Sequence, residues 1–215
     1  MFEQRRCCRL RVLGVDPGLS RCGVGVVQSE RSRQSMVLAG VIRTPAHTPT
    51  PARLATLYDE LSALLARHRP DAVAVERVFF NANVATAMSV GQAAGMALLS
   101  AAQAGVPVTE YTPTQVKSTI TGTGDAPKEQ VGFMVQALLR LDDVPRPADA
   151  ADALALALCH LRRAGGPGVD TRTENGAGAL TGHATASGMS PRLAAAAEAA
   201  HAGAQIVQRR RTETP

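Results

Sequence analysis

Tryptophan is absent from this 215-residue sequence, and aromatic residues amount to only 3 %. Lysine is scarce too, with Lys117 and Lys128 the only two in the chain. No apolar run approaches the roughly 18 residues of a membrane span, so neither a transmembrane segment nor a membrane partner is expected. The N-terminal stretch MFEQRRCCRLRV has arginines but no apolar h-region, which argues against a signal peptide. Cys7, Cys8, Cys22 and Cys159 form no CxxC pair, and the five histidines show no metal-ligand spacing. The natural reading is a cytoplasmic protein with reduced thiols.

Hydrophobic residues nonetheless reach 45 %, enough for a core, and the balance of 23 Lys and Arg against 18 Asp and Glu gives a charge of +5 and a pI near 9.5. Basic soluble proteins often meet nucleic acid, but an Arg-rich, high-GC genome produces the same bias, so charge alone is a weak indication. From about residue 165 the composition turns to Gly, Ala, Thr and Ser without periodicity, which reads as a disordered tail over 165–215. An Ala-rich stretch near its end could form a marginal helix. Residues 1–164 then form one domain, still basic with 18 Lys and Arg against 14 Asp and Glu.

Within that domain strands and helices alternate. LRVLGVD and RCGVGVVQS are strands joined by the Pro17-Gly18 turn, and SMVLAGVIRT is a third; short links make them an antiparallel meander. Leu54, Leu57, Tyr58, Leu61, Leu64 and Leu65 follow helical spacing up to Pro70. DAVAVE is a short buried strand, parallel to the first if that helix is a crossover. A second helix is predicted over Asn83–Ala104, where Gly91, Gly95 and many alanines give a small-residue face suited to internal packing, with a dimer contact as the alternative. VPVTEY is a fifth strand, and helices follow near Thr114–Ile120, Lys128–Leu141 and Ala148–Arg162. This order implies an α/β fold, a mixed five-stranded sheet with helices on its faces.

PADAADALALALCH reads as a helix apolar nearly all round, which belongs inside a protein. Yet Asp149 and Asp152 stand three residues apart at its start, about 60° from each other around the axis. Asp16 ends the first strand and Glu76 the fourth; if these are parallel neighbours, both emerge at the edge where open α/β sheets place their sites. Taken singly, each acid has a plain explanation: a helix N-terminal charge, a DPG turn, a solvated strand end. Four carboxylates at one edge need positive charge among them. Oxygen-only ligands without His or Cys select hard cations such as Mg2+ or Mn2+, and two such ions clamp the attacking and leaving oxygens of a phosphodiester.

LGVDPGLSRCGVGVV, VAVERVFFNANVATAMSVGQAAG, EYTPTQVKSTITGTG, APKEQV and PADAADALALALCH resemble, in order and at matching intervals, the RuvC family of bacterial Holliday-junction resolvases. The resemblance spans roughly residues 10 to 162. It implies a ribonuclease-H-like fold and a homodimer that symmetrically nicks two like-polarity strands of four-way junction DNA, in recombination and repair, with RuvA and RuvB as branch-migration partners. It carries the family's catalytic and metal-holding acids onto Asp16, Glu76, Asp149 and Asp152, with two Mg2+ ions per site for which Mn2+ can substitute. Asp16 should bridge the ions; either Asp149 or Asp152 can be the direct ligand. Adjacent phenylalanines ordinarily belong to a core, but the resemblance assigns Phe79 to stacking on bases at the junction centre and leaves Phe80 open. It assigns Lys117 and Lys128 to phosphate contacts, where isolated lysines would otherwise be solvated surface charges.

Two other classes compete with this reading. Actin-like ATPases also open with a strand and a DxG turn, but they need a duplicated domain and a second such motif, which the chain lacks. An inactive junction-binding module would be favoured by loss of any one acid, and all four are present.

Overall fold

β1 (Leu10–Asp16), β2 (Arg21–Glu30) and β3 (Arg33–Arg43) form the expected antiparallel meander, with Gly14 opposite Gly25 and Asp16 opposite Gly23. The computed structural model describes residues 9–31, 33–78 and 84–164. The expected tail, Phe79, Phe80 and the expected start of the second helix at Asn83 lie outside those residues. After β3, α1 (Thr50–His68) crosses over to β4 (Ala72–Glu76), which pairs parallel with β1, Val15 beside Val75. α2 (Val84–Gln103) leads to β5 (Val108–Tyr111), parallel to β4, and α3 (Pro113–Thr121), α4 (Lys128–Leu139) and α5 (Ala148–Ala164) follow. The sheet order is β3-β2-β1-β4-β5.

Boundaries differ from the sequence reading where a local device intervenes. β5 begins only after Pro107, which has no N–H for a ladder. α4 ends at Leu139 rather than Leu141, because Arg140 turns left-handed (φ 53°) and donates its N–H back to Ala137 and Gln136 carbonyls.

Alternation along each strand decides what each sheet face packs against. Leu13 and Val15 of β1, Cys22, Val24 and Val26 of β2, and Val73 and Val75 of β4 share one core with Leu57, Leu61, Leu64 and Leu65 of α1 and Ala93, Ala97 and Ala101 of α2. Val12, Val27, Ala72 and Ala74 face the other way, into a core with Tyr111 and side chains of α3, α4 and α5. Helices thus cover both faces. α5 lies between the sheet and the α3–α4 pair, so Leu154, Leu156, Leu158 and the alanines between them are all buried. That position accounts for its apolar circumference.

α2 corrects one expectation. Its buried side is Ala87, Ala93, Ala94, Ala97 and Ala101, whereas a Cβ added at Gly91 or Gly95 would meet nothing within 4 Å. Those glycines share an outward face with Met88, 59 % exposed, and Leu99, 43 % exposed. The alanines of α2 are thus internal packing, as expected, whereas Gly91 and Gly95 are not.

Candidate active site

Parity along the strands places the first two acids. Asp16 is two residues beyond Gly14 and four beyond Val12, and Glu76 is two beyond Ala74, so both project to the face that α5 covers. The parallel register sets them side by side at the carboxyl ends of β1 and β4.

The third and fourth acids arrive because α5 comes unusually close to the sheet. A Cβ on Gly14 would sit 1.9 Å from the Ala153 carbonyl oxygen, and one on Gly23 would sit 2.1 Å from the Asp149 carbonyl oxygen. A Cβ on Gly25 would press on Leu154 at 2.9–3.0 Å. Three glycines on one face of β1 and β2 form a trough, and the Ala-rich side of α5 lies in it almost backbone to backbone. The first turn of α5, with Asp149, is thereby held over the end of β2. At the other end of the helix the Tyr111 hydroxyl meets His160 Nδ1 at 3.0 Å, linking α5 to β5. The signal for this trough in the sequence is the G-x-G of Gly23 and Gly25 in one strand, with a single glycine, Gly14, in its antiparallel neighbour.

Asp16, Glu76, Asp149 and Asp152 line one cavity of about 340 Å³, together with Lys117, Lys128, Val116, Val131, Ala155 and Leu156. Lys117 comes from α3, which begins with a capping box: Gln115 N–H donates to Thr112 Oγ1 at 3.1 Å and Thr112 N–H to Gln115 Oε1 at 2.9 Å. Lys128 opens α4. A larger neighbouring cavity of about 650 Å³ shares Glu76 and Pro113 and continues past Pro17, Arg77, Thr86 and Thr114. The structure thus brings six of the seven expected site residues to one place, and the seventh, Phe79, lies outside the described residues.

The electrostatics are those of crowded acid. Burial, then a shared hydrogen bond with Glu76, then the charges of Glu76, Asp152 and Asp149, push the Asp16 carboxyl up to about 8. The two acids of α5 have found cations instead. Arg21 Nε–H donates to Asp149 Oδ2 at 2.8 Å, and Nη2 donates to the same oxygen. Lys128 Nζ lies 2.7 Å from Asp152 Oδ2, and this hydrogen bond holds the ammonium above its ordinary value despite partial burial. Among the described residues no three acid, His or Cys side chains stand close enough, as they are, to hold one ion. Repulsion among the carboxylates and the pull of Arg21 and Lys128 explain the spread. The donor set still fits a hard divalent cation: four carboxylates line one cavity, they offer oxygen ligands only, and burial and neighbouring acids push the Asp16 carboxyl up. Arg21 was not singled out from the sequence, since its partner is 128 positions away.

Among known proteins, the family model described as "Crossover junction endodeoxyribonuclease RuvC" matches residues 12–160. The RuvC of Frankia alni is 59 % identical over 155 residues, 72 % of this chain and 79 % of that protein. The RuvC of Syntrophomonas wolfei is 51 % identical over 152 residues, 71 % and 88 % of the two chains. Thermus thermophilus RuvC in complex with a Holliday junction substrate superposes with a TM-score of 0.70 at 40 % identity, covering 72 % of this chain and 94 % of that one. The yeast mitochondrial Holliday junction resolvase, at 14 % identity and a TM-score of 0.53, covers 71 % of this chain and 79 % of its own and shares the fold. The expected ribonuclease-H-like mixed sheet is the fold found.

Proposed function

This chain belongs to the RuvC family of crossover junction endodeoxyribonucleases, and we propose that it resolves Holliday junctions by metal-dependent hydrolysis of phosphodiesters in two like-polarity strands. The observation that carries this reading is the single cavity lined by four carboxylates from two parallel strand ends and one helix start, with Asp16 pushed up to about 8.

Asp16, Glu76, Asp149 and Asp152 would hold two divalent ions, Mg2+ in the cell or Mn2+ in its place. When bound, such ions supply a water of lowered pKa and stabilise the leaving 3′ oxygen, giving 5′-phosphate and 3′-hydroxyl ends. The protein's own part is positioning. Asp16 and Glu76 are fixed by two strands of the sheet, and Asp149 and Asp152 by the helix seated in the glycine trough. Lys117, in the middle of α3, and Lys128, at the start of α4, line the same cavity and take phosphates of the junction; Lys128 must leave Asp152 to do so. Phe79, three residues after Glu76 in the chain and outside the described residues, stacks on an unpaired base at the junction centre.

Two symmetric cuts need two such sites, so the working unit is a homodimer. The outward face of α2, with Met88, Gly91, Gly95 and Leu99, supports it: small residues allow close helix approach, and large apolar ones give area to bury. RuvA and RuvB are the partners that move the branch point. Residues 1–164 carry the activity and 165–215 are an accessory tail. A cytoplasmic setting suits the two described cysteines, both unpaired buried thiols. Among the described residues no helix is long and apolar enough to cross a membrane.

The test is incubation of the full chain with a synthetic four-way junction and Mg2+, beside linear duplex and single strand. Paired nicks in the junction alone are expected. Asp16→Asn, Glu76→Gln, Asp149→Asn and Asp152→Asn should each lower the rate by orders of magnitude with junction binding largely kept. A correctly folded variant that cuts at the normal rate removes its residue from the site.

A further inference from the structure

Arg21 opens β2 on the face that α5 covers, two residues before Gly23, and its guanidinium holds the carboxylate of Asp149 at the edge of the cavity that Asp149 lines. Nε–H and Nη2–H both donate to Oδ2, so the two donors converge on one oxygen and draw the carboxylate toward β2. The pair sits at the mouth of the site, with Arg21 44 % and Asp149 27 % exposed. While it is made, and while Lys128 holds Asp152 from the other side, no three acids are within reach of a common ion among the described residues.

We propose that Arg21 is a positioning residue that competes with divalent metal for Asp149, so that metal occupies the site only as Asp149 turns away from the guanidinium. The inference rests on the metal-dependent reading of the site given above. Two effects point the same way. Asp149 neutralised by Arg21 offers the cavity less negative potential, and the guanidinium itself repels an incoming cation. In the opposite direction, Arg21 relieves repulsion among the acids when metal is absent, which keeps α5 seated on the trough. Arg21 reaches Asp149 only because strand parity puts positions 21, 23 and 25 on one face and glycine occupies the latter two.

The experiment is Mn2+ titration calorimetry on the full chain, comparing wild type, Arg21→Gln and Arg21→Lys. It is joined to a double-mutant cycle of Arg21→Gln with Asp149→Asn, read by urea denaturation in EDTA and again in saturating Mn2+. Removing a half-exposed competing charge should tighten Mn2+ binding by roughly three- to tenfold in Arg21→Gln, while Arg21→Lys, which keeps the charge, stays near wild type. Coupling between positions 21 and 149 should be present in EDTA and vanish with metal. A purely structural ion pair would keep its coupling in Mn2+; that result, or weaker Mn2+ binding by Arg21→Gln, overturns the proposal while leaving the metal reading intact. A folded wild-type chain that takes up no Mn2+ overturns both, and is distinguished by the flat calorimetric trace.

Discussion

Replacing Asp16 by Asn should make the metal-free protein more stable at alkaline pH while removing its activity. In the folded chain the Asp16 carboxyl, ordinarily near 3.8, is pushed up to about 8, first by burial and then by Glu76, Asp152 and Asp149. Between those values the folded state holds a proton that the unfolded state has released. Stability therefore falls as pH rises through the window, and the full penalty is present above about 8. At about 1.4 kcal/mol per pH unit, the span sets a ceiling of about 6 kcal/mol. Water in the open cavity screens the charges and reduces this, and we expect a gain of about 1–3 kcal/mol for Asp16→Asn. The assay is urea denaturation in EDTA across the range from about pH 4 to pH 8, taking the difference between variant and wild type so that other titrating groups cancel. That difference should grow steadily in favour of Asn as pH rises. Millimolar Mg2+ should restore the wild type at high pH and do little for the variant. A difference that is flat with pH, or an Asn variant destabilised equally throughout, would refute the idea that Asp16 carries the charge strain of the site.

Other expectations follow from the helix seat and the lysines. Gly14→Ala places a Cβ 1.9 Å from the Ala153 carbonyl, so α5 must lift; a loss of at least about 3 kcal/mol is expected, and thermal melts of the variant test it. Lys128→Ala should flatten the slope of log binding constant against log salt by about 1 per engaged site, measured by filter binding to a four-way junction. An unchanged slope would mean that Lys128 stays on Asp152 and meets no phosphate. Truncation after Gly165 should leave melting temperature and junction cleavage nearly as they are; a large loss of junction binding would make Arg209–Arg211 part of the DNA contact.

Local pattern was enough for the elements themselves. Leucine spacing from Leu54 to Leu65 announced α1, alternation announced the strands, and the chain positions of Asp16 and Glu76 at strand ends announced a site, because such periodicities reflect backbone geometry that each segment carries alone. The pairing of distant segments was a different matter. Gly14, Gly23 and Gly25 look like weak points in strands until α5 is laid over them, and only then does the excess of alanine in α5 make sense. Gly91 and Gly95 look equally suited to a core, but α1 and the sheet take the opposite face of α2 and leave them outside. Arg21 is one arginine among many until the antiparallel register turns it toward Asp149. Lys128, read as a phosphate contact, first meets Asp152. In each case the deciding quantity is the distance between groups far apart in sequence. Sequence alone determined which residues could carry metal chemistry; the close approach of α5 to the sheet decided which cations they meet without it.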